Sequence, residues 1–166
     1  SSGRPAASWS RSESFGSEWL VASLRMFLYG VVNASPDSLN ADSIVAGPEQ
    51  ALARARRLLA DGADGLDLGG QGSTDAATVV AWEAEWERLR DVVPALATLG
   101  VPMSVDTWRP EVLRRALQAG ATVINAADGM QSDEMWQVAT EFDVPIVVPF
   151  LSGPNPRAME MVQRDP

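Results

Sequence analysis

Asn33-Ala34-Ser35-Pro36-Asp37-Ser38 closes a short apolar run, residues 26–32, with a carboxamide and a Ser-Pro-Asp turn. A run of that length reads as a buried strand. A carboxamide at its end is suited to holding a polar group rather than to filling a core. The arrangement recurs three times: Asp67 in Leu66-Asp67-Leu68-Gly69-Gly70, Asp106 in Ser104-Val105-Asp106-Thr107 and Asn125 in Val123-Ile124-Asn125. In a parallel α/β protein such strand ends converge on one face, and that face is where ligands bind.

Outward from these strands the pattern alternates. Strands are expected at residues 26–32, 66–68, 101–105, 122–125 and 144–148, and helices at 49–61, 78–97, from Pro110 onward, and 133–142. Leu52, Ala55, Leu58 and Leu59 form the apolar stripe of the first helix, and Trp82, Trp86, Leu89 and Val93 that of the second. That spacing makes the two tryptophans core residues rather than a stacking platform. Arg54, Arg56 and Arg57 fall largely off the first stripe and read as a solvated face. Strict alternation of five strands and four helices gives a parallel α/β fold, either a (β/α)8 TIM barrel or an open doubly wound sheet. Polar residues at the strand ends favour the barrel. No Gly-x-Gly-x-x-Gly opens the first helix to support a dinucleotide site.

A complete barrel takes ~250 residues. The 166 residues therefore hold about its first five strands and four helices, with residues 26–166 as the partial barrel domain. Strands one and five are expected to present open edges. Residues 1–25, rich in Ser, Arg and Gly, are expected to be a disordered leader or a non-native extension ahead of a start at Met26. Residues 157–163 could begin a further helix.

Composition narrows the chemistry. The 22 acidic and 13 basic residues leave a net charge of −9, which disfavours nucleic acid and anionic membranes as partners. With no cysteine there is no disulfide, thiolate nucleophile or Cys-ligated metal, and with no histidine the commonest proton shuttle is missing. A metal here would be held by oxygen, which points to Mg²⁺ before Zn²⁺. No apolar stretch approaches the ~20 residues of a membrane helix, and the leader lacks the apolar core of a signal peptide. The expected compartment is the cytoplasm.

Taken together, the strand ends resemble the dihydropteroate synthase family of pterin-binding barrels. Residues 30–38 are similar to that family's first signature, Gly, two apolar residues, Asn-Val-Thr-Pro-Asp-Ser. Asp67-Leu68-Gly69-Gly70-Gln71-Gly72-Ser73-Thr74 resembles its second, Asp-Val-Gly-Gly-Glu-Ser-Thr-Arg-Pro. Ser104-Val105-Asp106-Thr107 with Pro110-Glu111-Val112, Gly120-Ala121 with Val123-Ile124-Asn125, and Gly153 with Asn155-Pro156-Arg157 and Met159 follow in the family's order, so the likeness covers residues 27–161. It implies condensation of 6-hydroxymethyl-7,8-dihydropterin diphosphate with p-aminobenzoate, releasing pyrophosphate. It further implies that Asn33 contacts Mg²⁺ and the diphosphate, and that Asp106 and Asn125 bind the pterin ring. Ser73 and Thr74 would lie on the second loop near the diphosphate and the arylamine, and Asp106 and Thr74 would be the catalytic residues. A homodimer is implied for the full-length protein.

The chain departs from the family at several points. Asp75 stands in place of an Arg that would hold an anion, Gly72 reads as an insertion, and Phe150 replaces a His. Ala126 replaces an acid after Asn125, and Asp128 is the candidate to substitute for it. The family's later Asp-Pro-Gly, Ser-Arg-Lys and Arg-x-His segments do not occur within the 166 residues, so the isolated chain is expected to turn over little or nothing. Two other readings are a non-catalytic pterin-binding homologue and a methyltetrahydrofolate:corrinoid methyltransferase. Simpler roles also stand beside the site roles: Asn33 and Asp37 as turn residues, Asp67 as a supporting carboxylate, Asp106 as a helix cap and Asn125 as a strand-end hydrogen bonder.

Overall fold

The computed structural model describes residues 26–37, 41–73, 77–150, and residues 153, 155, 156 and 158. Along these residues run β1 (Tyr29–Asn33), a 3-10 turn (Ala41–Ser43), α1 (Pro48–Ala60), β2 (Gly65–Gly69), α2 (Trp82–Leu89) and α3 (Val92–Ala97). They are followed by β3 (Met103–Thr107), α4 (Pro110–Gln118), β4 (Val123–Ala126), α5 (Asp133–Phe142) and β5 (Ile146–Val147). All neighbouring strands pair in parallel, in the order β1-β2-β3-β4-β5.

That order separates the two architectures compatible with the sequence pattern. A doubly wound sheet reverses its strand order at a switch point, and this sheet never reverses. Right-handed crossovers always taken in one direction put every helix on the same face. This is the winding of a TIM-barrel wall, here five strands of it.

Burial follows the winding. On the helix side Val32, Leu66, Leu68, Val105 and Ile124 are fully buried, against Leu89, Val93, Leu113, Ala116, Met135 and Val138 from the helices. Each large aliphatic side chain removed from water in this way contributes ~1.5–3 kcal/mol. On the other side the register aligns Asn33, Gly69, Asp106, Asn125 and Val147 in one row, with Val31, Asp67, Ser104 and Val123 in the row before it. The helix face is therefore the packed one, and the polar residues collect on its opposite.

Several boundaries differ from the sequence pattern. β1 begins at Tyr29, and Met26, Phe27 and Leu28 are exposed. β5 pairs over only two residues. The expected second helix is two helices that begin at Trp82 rather than residue 78. Pro94, in the first turn of α3, has no N–H to give the Arg90 carbonyl, so the ladder is interrupted there. Thr78–Val80 is not helical because its backbone groups bond elsewhere, as described below. Trp82 and Trp86 do pack against the core, half-buried.

Arg56 and Arg57 are exposed as expected, but Arg54 is half-buried and engaged: its Nε donates to the Val31 carbonyl at 2.9 Å and its Nη1 to the Asp42 carbonyl at 2.6 Å. With Val45 N–H donating to the Asn33 carbonyl at 2.8 Å, the outer edge of β1 is partly occupied rather than open. No helix among the described residues is long and apolar enough to cross a membrane. The suggested helix at 157–163 falls almost entirely outside the described residues.

Candidate active site at the strand ends

Asn33 ends β1 with its Nδ2 donating to the buried Ser43 hydroxyl at 2.7 Å. That bond turns its carbonyl oxygen over Gly69 at the end of β2. A Cβ on Gly69 would stand 3.0 Å from Asn33 Oδ1 and 4.0 Å from Asp106 Oδ2. The missing side chain thus leaves a space flanked by a carboxamide oxygen and a carboxylate.

One layer down, Asp67 Oδ1 accepts from the Ser104 hydroxyl at 2.5 Å and from Asn125 Nδ2 at 3.2 Å. Bonds to a charged acceptor are the stronger ones, so Asp67 orients Asn125, whose carbonyl oxygen is left to the row. Asp106 pays for this company: its carboxyl is raised from 3.8 to about 7, first by burial, then by the charge of Asp67 and then by that of Glu85.

Glu85 lies behind the row, on α2, and is completely buried. Thr107 Oγ1 donates to it at 2.8 Å and Arg109 Nη1 at 2.6 Å. Burial raises the Glu85 carboxyl, while the Thr107 bond and the Arg109 charge pull it back. From the same helix Arg88 Nη1 donates to the Gly70 carbonyl at 2.8 Å and meets the Ser35 hydroxyl at 3.4 Å. α2 therefore braces the ends of β1, β2 and β3 from below.

The structure thus brings Asn33, Asp106 and Asn125 into one row. Ser73 is exposed just past β2, and Thr74 and Asp75 lie outside the described residues. Asp37 serves its turn, its N–H meeting Ser35 Oγ at 3.4 Å and its carboxylate accepting from Thr78 N–H at 3.4 Å. Asp128 does not substitute for the acid missing after Asn125. Its carboxylate is taken up by the N–H groups of Met130, Gln131 and Ser132 at 3.0, 3.2 and 3.3 Å, which shape the β4–α5 loop. Phe150 is 90% exposed. Among the described residues no three Asp or Glu side chains are grouped to hold a metal ion. A cavity of about 260 Å³ lined by Ala34, Val45, Gly47, Arg88 and Asp91 lies beside α1 and α2, and none of the row residues Asn33, Asp106 and Asn125 lines it.

Sequence reasoning missed Glu85, Arg109, Gln71 and Ser104. Glu85 had a signal: with Trp82 and Leu89 it completes an i, i+3, i+7 stripe, and a charge on a buried stripe calls for a partner.

The geometry has counterparts among known proteins. The family profile described as pterin binding enzyme matches residues 29–165. A dihydropteroate synthase of Synechocystis sp. is 34% identical over 138 residues, covering 82% of this chain and 47% of that protein. One of Bacillus subtilis is 35% identical over 126 residues, covering 75% and 44%. Among solved structures, the Yersinia pestis dihydropteroate synthase with a sulfonamide drug superimposes with a TM-score of 0.73 at 31% identity, over 80% of this chain and 48% of that one. The Thermus thermophilus enzyme in complex with 4-aminobenzoate gives a TM-score of 0.66 at 37% identity, over 81% and 47%. The chain spans about half the length of these relatives.

Proposed function

The chain belongs to the pterin-binding enzyme family, and from that premise we propose that the whole protein is a dihydropteroate synthase. It would join 6-hydroxymethyl-7,8-dihydropterin diphosphate to p-aminobenzoate in folate biosynthesis. The observation that carries this is the single row of Asn33, Asp106 and Asn125, with Asn33 and Asp106 flanking the space above Gly69. Solved relatives bound to 4-aminobenzoate and to 7,8-dihydropteroate support it.

In the proposed reaction the arylamine lone pair forms a C–N bond to the pterin methylene carbon. The C–O bond to the diphosphate breaks, pyrophosphate leaves with the electron pair, and the amine proton passes to solvent. Asp106 accepts from the N–H groups of the pterin ring. As positive charge grows on the ring, the carboxylate form of Asp106 is favoured, and the transition state is stabilised more than the ground state. Asn125, held by Asp67, supplies a second acceptor. Ser73 and Thr74 contact the diphosphate and arylamine.

Asn33 Oδ1 suits Mg²⁺, which takes few protein oxygens and completes its shell from water and substrate phosphate. Bound there, Mg²⁺ would neutralise the leaving diphosphate. Asp75 in place of Arg favours a second reading, a homologue that binds pterin without turnover.

The test is dihydropteroate formation by the full-length protein with both substrates and Mg²⁺. Formation coupled to pyrophosphate release supports synthesis. Pterin binding without product supports the second reading, and neither binding nor product overturns both.

A further inference from the structure

We infer that Gln71 is a positioning residue, whose carboxamide fastens together the two stems of the β2–α2 loop and fixes the direction in which the chain leaves the sheet at Ser73. Gln71 is 6% exposed. Its Nε2 donates to the Gly72 carbonyl at 2.9 Å and to the Thr78 carbonyl at 3.0 Å, and its Oε1 accepts from Val80 N–H at 2.9 Å. One buried side chain thereby satisfies backbone groups on both sides of the loop. This asks for two donors and an acceptor on one stem of this length, and glutamine is the neutral side chain that has them. A carboxylate could accept from Val80 but could not donate to either carbonyl.

The fastening is anchored beyond the loop. The Val80 carbonyl accepts from Arg109 Nη2, so Val80 is held through both of its backbone groups. Arg109 is itself fixed on Glu85, which is buried and bonded to Thr107 of β3. On the other side Thr78 N–H meets the Asp37 carboxylate. Gly72 sits so tightly that a Cβ there would lie 2.7 Å from Ala77 Cβ and 3.0 Å from the Asp37 carbonyl oxygen. The stems are thus referenced to β1, β2 and β3 at once, the three strands that carry Asn33, Gly69 and Asp106.

The kinetic consequence rests on the reading of the site given above; the structural one does not. In the full-length protein Gln71→Met removes all three bonds while keeping the volume, and Gln71→Glu keeps the acceptor alone. Hydrogen exchange at Val80 should accelerate about tenfold or more in Gln71→Met, with Val105 and Ile124 unchanged, and Gln71→Glu should recover part of that protection. Turnover should fall about tenfold in kcat for Gln71→Met while the KM for the pterin diphosphate stays within about twofold, again with partial recovery in Gln71→Glu.

Unchanged Val80 exchange in a folded Gln71→Met protein overturns the inference. Faster exchange with kcat unaltered reduces Gln71 to a structural residue and overturns it equally. A wild-type protein without turnover removes the proposed function, and Val80 exchange then decides the fastening by itself. Should Gln71→Met not fold, Gln71→Glu is read alone: partly lost Val80 protection with reduced kcat supports the inference, and wild-type protection or wild-type kcat overturns it.

Discussion

Burial, and after it the neighbouring carboxylate of Asp67, make the row an uncomfortable place for a charged Asp106. Its carboxyl is raised in the folded protein, so the native state binds that proton more tightly than the unfolded chain does. The stabilisation is full below pH about 4 and is lost as pH rises through about 7. Asp106→Asn cannot titrate. The stability of wild type relative to Asp106→Asn should therefore decline between pH 4.5 and 7.5, as read by urea unfolding at the two values. A flat difference would mean that Asp106 ionises normally. Glu85 is a different case, because its partner is equally committed. Glu85→Ala strands the Arg109 guanidinium in a site only 14% exposed, and is expected to cost ~3–5 kcal/mol. Adding Arg109→Met should return part of that loss in a double-mutant cycle; strict additivity would show that the pair is not coupled. Asn33, Asp106 and Asn125 were legible as a set because each ends an apolar run. Glu85 was not, because the tryptophans drew the buried stripe through Trp86 instead of the position before it.

At the level of elements, caps and breaks decide where the pattern stops. α5 was readable to the residue from the helical spacing of Met135, Val138, Ala139 and Phe142, and the structure adds a cap: Ser132 Oγ accepts from Met135 N–H at 3.2 Å. Ser132→Ala should cost ~1 kcal/mol, measured as a shift in the urea midpoint with no change in slope. A loss below a few tenths would show that the loop held by Asp128 caps the helix without it. The α2–α3 region was the least legible stretch. Its apolar spacing continues across Arg90 and Asp91, and only the missing Pro94 N–H interrupts the ladder. Its start slipped as well, since Thr78 and Val80 have helix-compatible neighbours but give their backbone groups to Gln71, Asp37 and Arg109. Contacts between residues far apart in sequence leave no mark in local periodicity. For the same reason Arg54 read as solvated: its acceptor, the Val31 carbonyl, lies 23 positions away.

The molecule as a whole has one finished face and one unfinished one. Val32, Leu68, Val105 and Ile124 are fully buried under helices, while Tyr29, Val31 and Val147 on the opposite face are 37%, 42% and 45% exposed. In a closed barrel the residues of that second face fill the interior with side chains from the remaining strands. Apolar groups gathered on one open surface drive association. The 166-residue chain expressed by itself is accordingly expected to bind an apolar dye such as ANS and to elute larger than a monomer. Val31→Lys with Val147→Lys should reduce both effects by placing two charges on the open face. In the full-length protein the same pair of substitutions should instead lower stability, by ~2 kcal/mol or more, because two charges would enter a closed interior where only position 31 has a carboxylate, Asp67, beside it. Opposite signs in the two proteins would follow from one cause, the closure of the barrel over the row of Asn33, Asp106 and Asn125. Equal tolerance of both lysines in the full-length protein would mean that this face stays open to water, and the strand-end row would then lack the dry surroundings on which its electrostatics depend.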